Sequence, residues 1–78
     1  MSPTAKLSKL SPGEKCRVLA MNANDALKAR LTDLGFYPGE TVEPLFRAVF
    51  GDPTAYMTQS SVIALRRADA EKIEVTRI

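Results

Sequence analysis

The sequence predicts a mainly β fold, a small five-stranded SH3-like barrel with one inserted α-helix. Three observations predict it. The chain has 78 residues, too few to divide its apolar residues between two cores. It holds four or five short apolar stretches separated by Gly-, Pro- and Asp-containing turns, and a single stretch with helical apolar spacing. Many short strands in a short chain favour closure, which removes exposed edges.

The elements follow in order. Residues 1–6, "MSPTAK", carry little to bury and are expected to fray, leaving 7–78 as the domain. Leu7 and Leu10 are candidate core anchors ahead of the turn Ser11-Pro12-Gly13-Glu14, in which proline presets φ and glycine accepts φ > 0. A strand should follow, with Cys16, Val18 and Ala20 on its apolar face. The helix comes next in "NANDALKARLTDLG". Asn24 or Asn22 can cap it, Asp25 suits the positive end of its dipole, and Leu27, Leu31 and Leu34 make one stripe. Its length should be about three turns, roughly 11 residues.

"RLTDLGFYPGE" then has to end the helix and start a strand. Gly35 falls where a left-handed residue is needed, and Phe36 and Leu31 occupy the two positions whose apolar contact accompanies a Schellman cap. Tyr37-Pro38-Gly39-Glu40 repeats the earlier turn chemistry. The next strand spans Glu40 to Val49, with Val42 and Phe46 facing inward. Pro44 cannot donate to a ladder, so the strand lies at an edge or bulges there. After the turn "FGDPT", "AYMTQ" and "SVIALRR" read as two strands joined around Ser60 and Ser61. Ala68 to Lys72 suits one helical turn, with Ala70 and Ile73 inward, and "IEVTRI" closes the fold.

Composition narrows the function. Eleven Lys+Arg against nine Asp+Glu leave a net charge of +2, well short of a dedicated nucleic-acid binder. There is no histidine, which removes the commonest general base and metal ligand, so catalysis is not expected. No secretory h-region and no apolar run near the roughly 18 residues of a bilayer span is visible, so the expected location is cytoplasmic. The lone Cys16 fits a reducing compartment. It is also the single soft metal ligand. A labile divalent metal, ferrous iron or zinc, could be captured between chains by Cys16 with Asp52, Asp69 or Glu71; the alternative is a buried cysteine acting as a small hydrophobe. No cofactor is required.

The order and spacing of "LSPGEKCRV", "LKARLTDLGFYPGETV", "GDPTAYM" and "IALRRADAEKIEV" resemble the FeoA family, the small cytosolic accessory proteins of bacterial ferrous-iron uptake. The resemblance runs from Leu7 to Val75. It implies an SH3-like barrel without catalysis and a partner, FeoB, the membrane ferrous-iron permease with a cytosolic GTP-hydrolysing domain. The implied role is a regulatory module that docks on FeoB, held peripheral to the inner membrane through that partner. The alternative from a different class is a nucleic-acid-binding small β-barrel, which the charge disfavours. A homodimer is left open.

Leu27, Lys28, Arg30 and Tyr37 are the candidate partner-binding residues, because Arg and Tyr are enriched at interface cores. The competing reading is a solvated helix face on which Arg30 pairs with Asp33. Most of the phenylalanines among Phe36, Phe46 and Phe50 are expected in the core, which argues against a polyproline groove. Arg66-Arg67 with Lys72 forms a modest basic patch, and the Gly51-Asp52-Pro53 loop with Phe50 and Tyr56 is either a second contact or a plain hairpin turn.

Overall fold

A computed structural model describes residues 4–59 and 61–78. Strand β1 (Thr4–Lys6) runs into a 3₁₀ turn (Leu7–Lys9), followed by β2 (Cys16–Met21), α1 (Asp25–Leu34), β3 (Thr41–Arg47), β4 (Thr54–Met57), β5 (Val62–Leu65), the short α2 (Arg67–Ala70) and β6 (Ile73–Arg77). The strands pair antiparallel in the order β1-β6-β2-β3-β4-β5. Residues 1–3 and Ser60, to which the expectations of a frayed start and a strand joint extended, lie outside the described residues.

The sheet is six-stranded and not fully closed among the described residues, since no ladder joins β1 to β5. It nonetheless curls around one core. Cys16 and Val18 of β2, Val42 of β3, Tyr56 of β4, Leu65 of β5 and Val75 of β6 all meet in a single buried cluster. The hinge of the curl is the β2–β3 ladder, reduced to the pairs Cys16↔Val42 and Arg17↔Thr41. Leu7, Leu10, Ala70 and Ile73 plug the cluster and are each buried to 1 % exposure or less.

The sixth strand corrects the expected five and, over residues 4–6, the expected fraying. Thr4, Ala5 and Lys6 pair with Thr76, Val75 and Glu74. The half-buried Ala5 packs against the core, and an edge ladder holds residues too polar to anchor themselves.

Two β-bulges correct the expected faces. Register shifts between Val18 and Ala20, so Met21 rather than Ala20 returns toward the core and Ala20 is exposed. Register shifts again between Pro44 and Phe46, where Pro44 pairs with Tyr56 and Phe46 with Ala55. An inserted residue reverses the alternation beyond it. Phe46 is therefore turned out and is 62 % exposed. Pro44 lies in a strand flanked on both sides, and of the two alternatives it takes the bulge.

The helix begins as its sequence dictates, with Leu27 N–H donating to Asn24 Oδ1 at 2.8 Å. Gly35 ends it at φ +108°. Its N–H reaches Thr32 O at 3.0 Å, and Phe36 N–H reaches Leu31 O at 2.9 Å, the paired bonds of a Schellman cap. Leu31 and Phe36 are both fully buried.

A methyl group added at Gly35 would approach the Thr58 side chain to 3.1 Å, whereas one at Gly39, φ +95°, meets nothing within 4 Å. Both substitutions impose the left-handed cost of about 1–2 kcal/mol on a residue with a Cβ. Gly35→Ala is therefore expected to lower unfolding free energy more than Gly39→Ala in urea titrations; equal losses would remove the Thr58 contact from the account.

Candidate partner-docking site

The cap delivers the chain into a rigid corner. Glu40 N–H donates to Tyr37 O at 3.0 Å, closing the turn, while Gly39 N–H donates to Val18 O and Val18 N–H to Glu40 O at 2.8 and 2.9 Å. The turn is thus stitched to β2 through both backbone groups of Val18. Glu40 itself is buried, with Oε2 accepting from the Tyr37 hydroxyl and Oε1 from Thr41 N–H, each at 3.0 Å. The carboxylate accepting the phenolic proton raises the Tyr37 pKa above its ordinary value. Tyr37 remains 40 % exposed, an aromatic ring fixed at its tip and open along its face.

The other expected site residues lie on α1. Leu27 is half-buried against the core, and Lys28 and Arg30 are exposed. At about 100° per residue, Lys28 and Arg30 flank the buried Leu27–Leu31 stripe from opposite sides, so they do not form one patch. Arg30 pairs with Asp69 of α2 at 3.2 Å, not with Asp33. Folding places α2 beside α1 and supplies a carboxylate that no local spacing could indicate. With the Arg30 side chain 64 % exposed, such a pair contributes at most about 1 kcal/mol.

Three further features shape this surface. Glu40 is the residue that orients Tyr37, and its single cue was its place at the end of the Pro-Gly turn. Phe36 is in the core as expected, with Tyr56 buried against it, ring centroids 6.0 Å apart edge to face, whereas two of the three phenylalanines, Phe46 and Phe50, are 62 % and 93 % exposed, and Val49 beside Phe50 is 94 % exposed. The outer face of β3–β4–β5 carries Phe46, Met57 and Val62, all exposed, in the register rows Phe46↔Ala55↔Ala64 and Met57↔Val62.

Of the expected basic patch, Arg67 is drawn to the β3–β4 hairpin, its backbone N–H donating to Asp52 Oδ1 at 2.9 Å. Lys72 lines a neighbouring cleft with Lys6, Lys9 and Glu71.

Cys16 has no exposed surface, and its thiol donates to Val42 O at 3.3 Å. Binding a metal between chains would require the thiol to leave the core. Among the described residues no group of three or more Cys, Asp or Glu side chains is arranged to hold a metal, and no helix is long and apolar enough to cross a membrane.

A family model for the FeoA domain matches residues 5–77. The chain belongs to the FeoA family. A curated relative from Porphyromonas gingivalis, a fusion of Fe(2+) transport protein A with the Fe(2+) transporter FeoB, is 32 % identical over 73 residues, 94 % of this chain. The chain spans only 9 % of that relative's length. The solution structure of iron(II) transport protein A from Clostridium thermocellum superposes with a TM-score of 0.90 at 35 % identity, over 95 % of this chain and 46 % of the other. Stenotrophomonas maltophilia FeoA, a procaryotic SH3 domain protein complexed with zinc, superposes at 0.77 with 33 % identity, over 88 % and 86 % of the two chains. The FeoA match begins within β1, at Ala5, in keeping with the pairing of that strand to β6.

Burial pushes the Cys16 thiol pKa up from 9.0 to about 11. The folded state favours the neutral thiol, so this stabilisation is complete below about pH 9 and is lost as pH rises toward 11. Folded protein is expected to react with a thiol reagent orders of magnitude more slowly than protein in urea; comparable rates would mean an accessible cysteine.

Proposed function

We propose that this FeoA domain is a cytosolic accessory module of ferrous-iron uptake that docks on the cytosolic part of FeoB and modulates iron transport or GTP turnover. The observation that carries the reading is the fusion in Porphyromonas gingivalis, where a domain alignable with 94 % of this chain shares a polypeptide with an Fe(2+) transporter. The description of the Stenotrophomonas protein as a candidate activating factor of bacterial ferrous iron transport supports it.

The docking surface in this reading is the corner where α1 meets the Tyr37–Glu40 turn. Tyr37 is its anchor, because an aromatic ring pre-ordered by a buried carboxylate loses little conformational entropy on binding. Leu27 and Arg30 extend the surface along one flank of α1, and Lys28 contributes only at the rim of the other. The domain works without a resident cofactor. Any labile divalent metal binds without Cys16, whose thiol is buried and donates to Val42 O.

Pull-down on the cytosolic domain of FeoB tests the corner. Tyr37→Ala and Arg30→Ala are each expected to weaken binding by about tenfold, in the range of interface anchor residues, while Lys28→Ala has a smaller effect. Circular dichroism should show the folded state kept in all three; full-strength binding by the Tyr37→Ala, Arg30→Ala double variant would remove the corner. Elemental analysis of purified protein is expected to give substoichiometric metal that is unchanged in Cys16→Ser, and loss of a stoichiometric metal in that variant would restore Cys16 as a ligand.

A further inference from the structure

The hairpin between β3 and β4 presents an apolar tip with cations on one side of its base. Val49 and Phe50 at the tip are 94 % and 93 % exposed, and Phe46 at its base is 62 % exposed. Side chains this large are ordinarily exposed singly rather than as a cluster on one projection. The backbone beneath them is fixed, with Ala48 N–H donating to Pro53 O and Gly51 N–H to Ala48 O at 2.9 and 2.7 Å. The tip is therefore held out by its own turn.

Beside it lies a cleft of about 350 Å³ lined by Ser8, Lys9, Arg47, Arg67 and Glu71. Arg47 Nη2 donates to Leu10 O at 2.7 Å, which fixes its guanidinium at the cleft. The Arg67 guanidinium reaches the hairpin itself, 3.4 Å from where a Cβ on Gly51 would lie. Ser8 Oγ is buried and has no hydrogen-bond partner among the described residues, a state that an ordered water or ion commonly satisfies. The single carboxylate lining the cleft is Glu71, and the Asp52 carboxylate nearby already accepts from Arg67 N–H. Lys9 and Glu71 also line the adjoining cleft with Lys6 and Lys72. Lys6, Lys9, Arg47, Arg67 and Lys72 thus share this band with the carboxylates of Glu71, Asp52 and Glu74, a local excess of cations in a chain whose net charge is only +2.

We propose that the β3–β4 hairpin and its cationic cleft form a docking surface for an anionic lipid bilayer. Val49 and Phe50 enter the boundary between headgroups and acyl chains. The cleft takes a headgroup phosphate, whose oxygens accept from Arg47, Arg67 and Lys9. The two features match the layered chemistry of a bilayer, apolar interior beneath a negative surface, and each sits where the other requires it. A peripheral attachment of this kind is independent of the Tyr37 corner.

Sedimentation of the whole chain with vesicles tests it. Binding is expected to vesicles of phosphatidylcholine and phosphatidylglycerol in equal parts, not to phosphatidylcholine alone, and should fall with added salt. Val49→Asp with Phe50→Asp should abolish it, and Lys9→Glu with Arg67→Glu should weaken it at least tenfold. These side chains are exposed, so circular dichroism should show both variants folded. Failure to bind the anionic vesicles, or binding indifferent to the Val49→Asp, Phe50→Asp pair, overturns the proposal. So does inorganic phosphate binding that depends on Lys9 and Arg67 without vesicle binding, which would make the cleft a site for free phosphate. Loss of FeoB binding in the tip variant without vesicle binding would make the tip a protein anchor and overturn it equally.

Discussion

The structure depends on the way the chain turns between Gly35 and Glu40. A helix must end, a bulky aromatic must enter the core and a strand must begin, all within six residues. Gly35 makes the first step with its left-handed backbone, which lets Phe36 N–H fold back onto Leu31 O. That hydrogen bond points the Phe36 ring inward against Tyr56. The second turn then leaves its backbone groups aimed at Val18 of β2, which accepts from Gly39 and donates to Glu40. The helix, β2 and β3 are consequently fixed against one another by one corner, and the short β2–β3 ladder beyond it has little left to specify.

This corner was also the most legible part of the chain, and the reason is physical. Its constraints are local: a glycine required by φ, a proline that presets φ, and an Asn that satisfies an orphan N–H at the other helix end. Each leaves a residue-type signature at fixed spacing. The bulges leave weaker signatures. At Val18–Ala20 nothing in the sequence marks the shift, so strict alternation places Ala20 inward when the chain turns Met21 toward the core. At Pro44 the missing donor did mark it, yet the consequence for Phe46 two residues later could be drawn only once the bulge was known to lie between them. Strand β1 was invisible for the opposite reason: Thr4-Ala5-Lys6 has no pattern of its own and is ordered by the edge of β6.

The candidate site divides along the same line. Tyr37 could be singled out because the turn chemistry accounted for its neighbours and left the ring over. Glu40, which fixes that ring, acts through burial, and burial of a charged residue is a product of the whole fold. Arg30 met its partner across 39 residues of chain, a pairing that no helical spacing encodes. Lys28 illustrates the converse, since proximity in sequence to Arg30 concealed their separation around the helix.

The exposed phenylalanines follow from the size of the domain. A chain of 78 residues buries only about 60–65 % of its unfolded surface, so a 45 % hydrophobic composition must leave apolar groups outside. Scattered at random they would have no significance. Here the Pro44 bulge directs Phe46 outward, the hairpin projects Val49 and Phe50, and the paired strands set Met57 beside Val62. The core is complete without any of them, as the buried cluster joins side chains from β2 through β6 with no contribution from the tip. Stability therefore places little demand on the identity of Phe46, Val49 and Phe50, and a large apolar side chain at each of these three positions is not explained by folding. The bilayer contact proposed for the hairpin accounts for it without asking anything of the core.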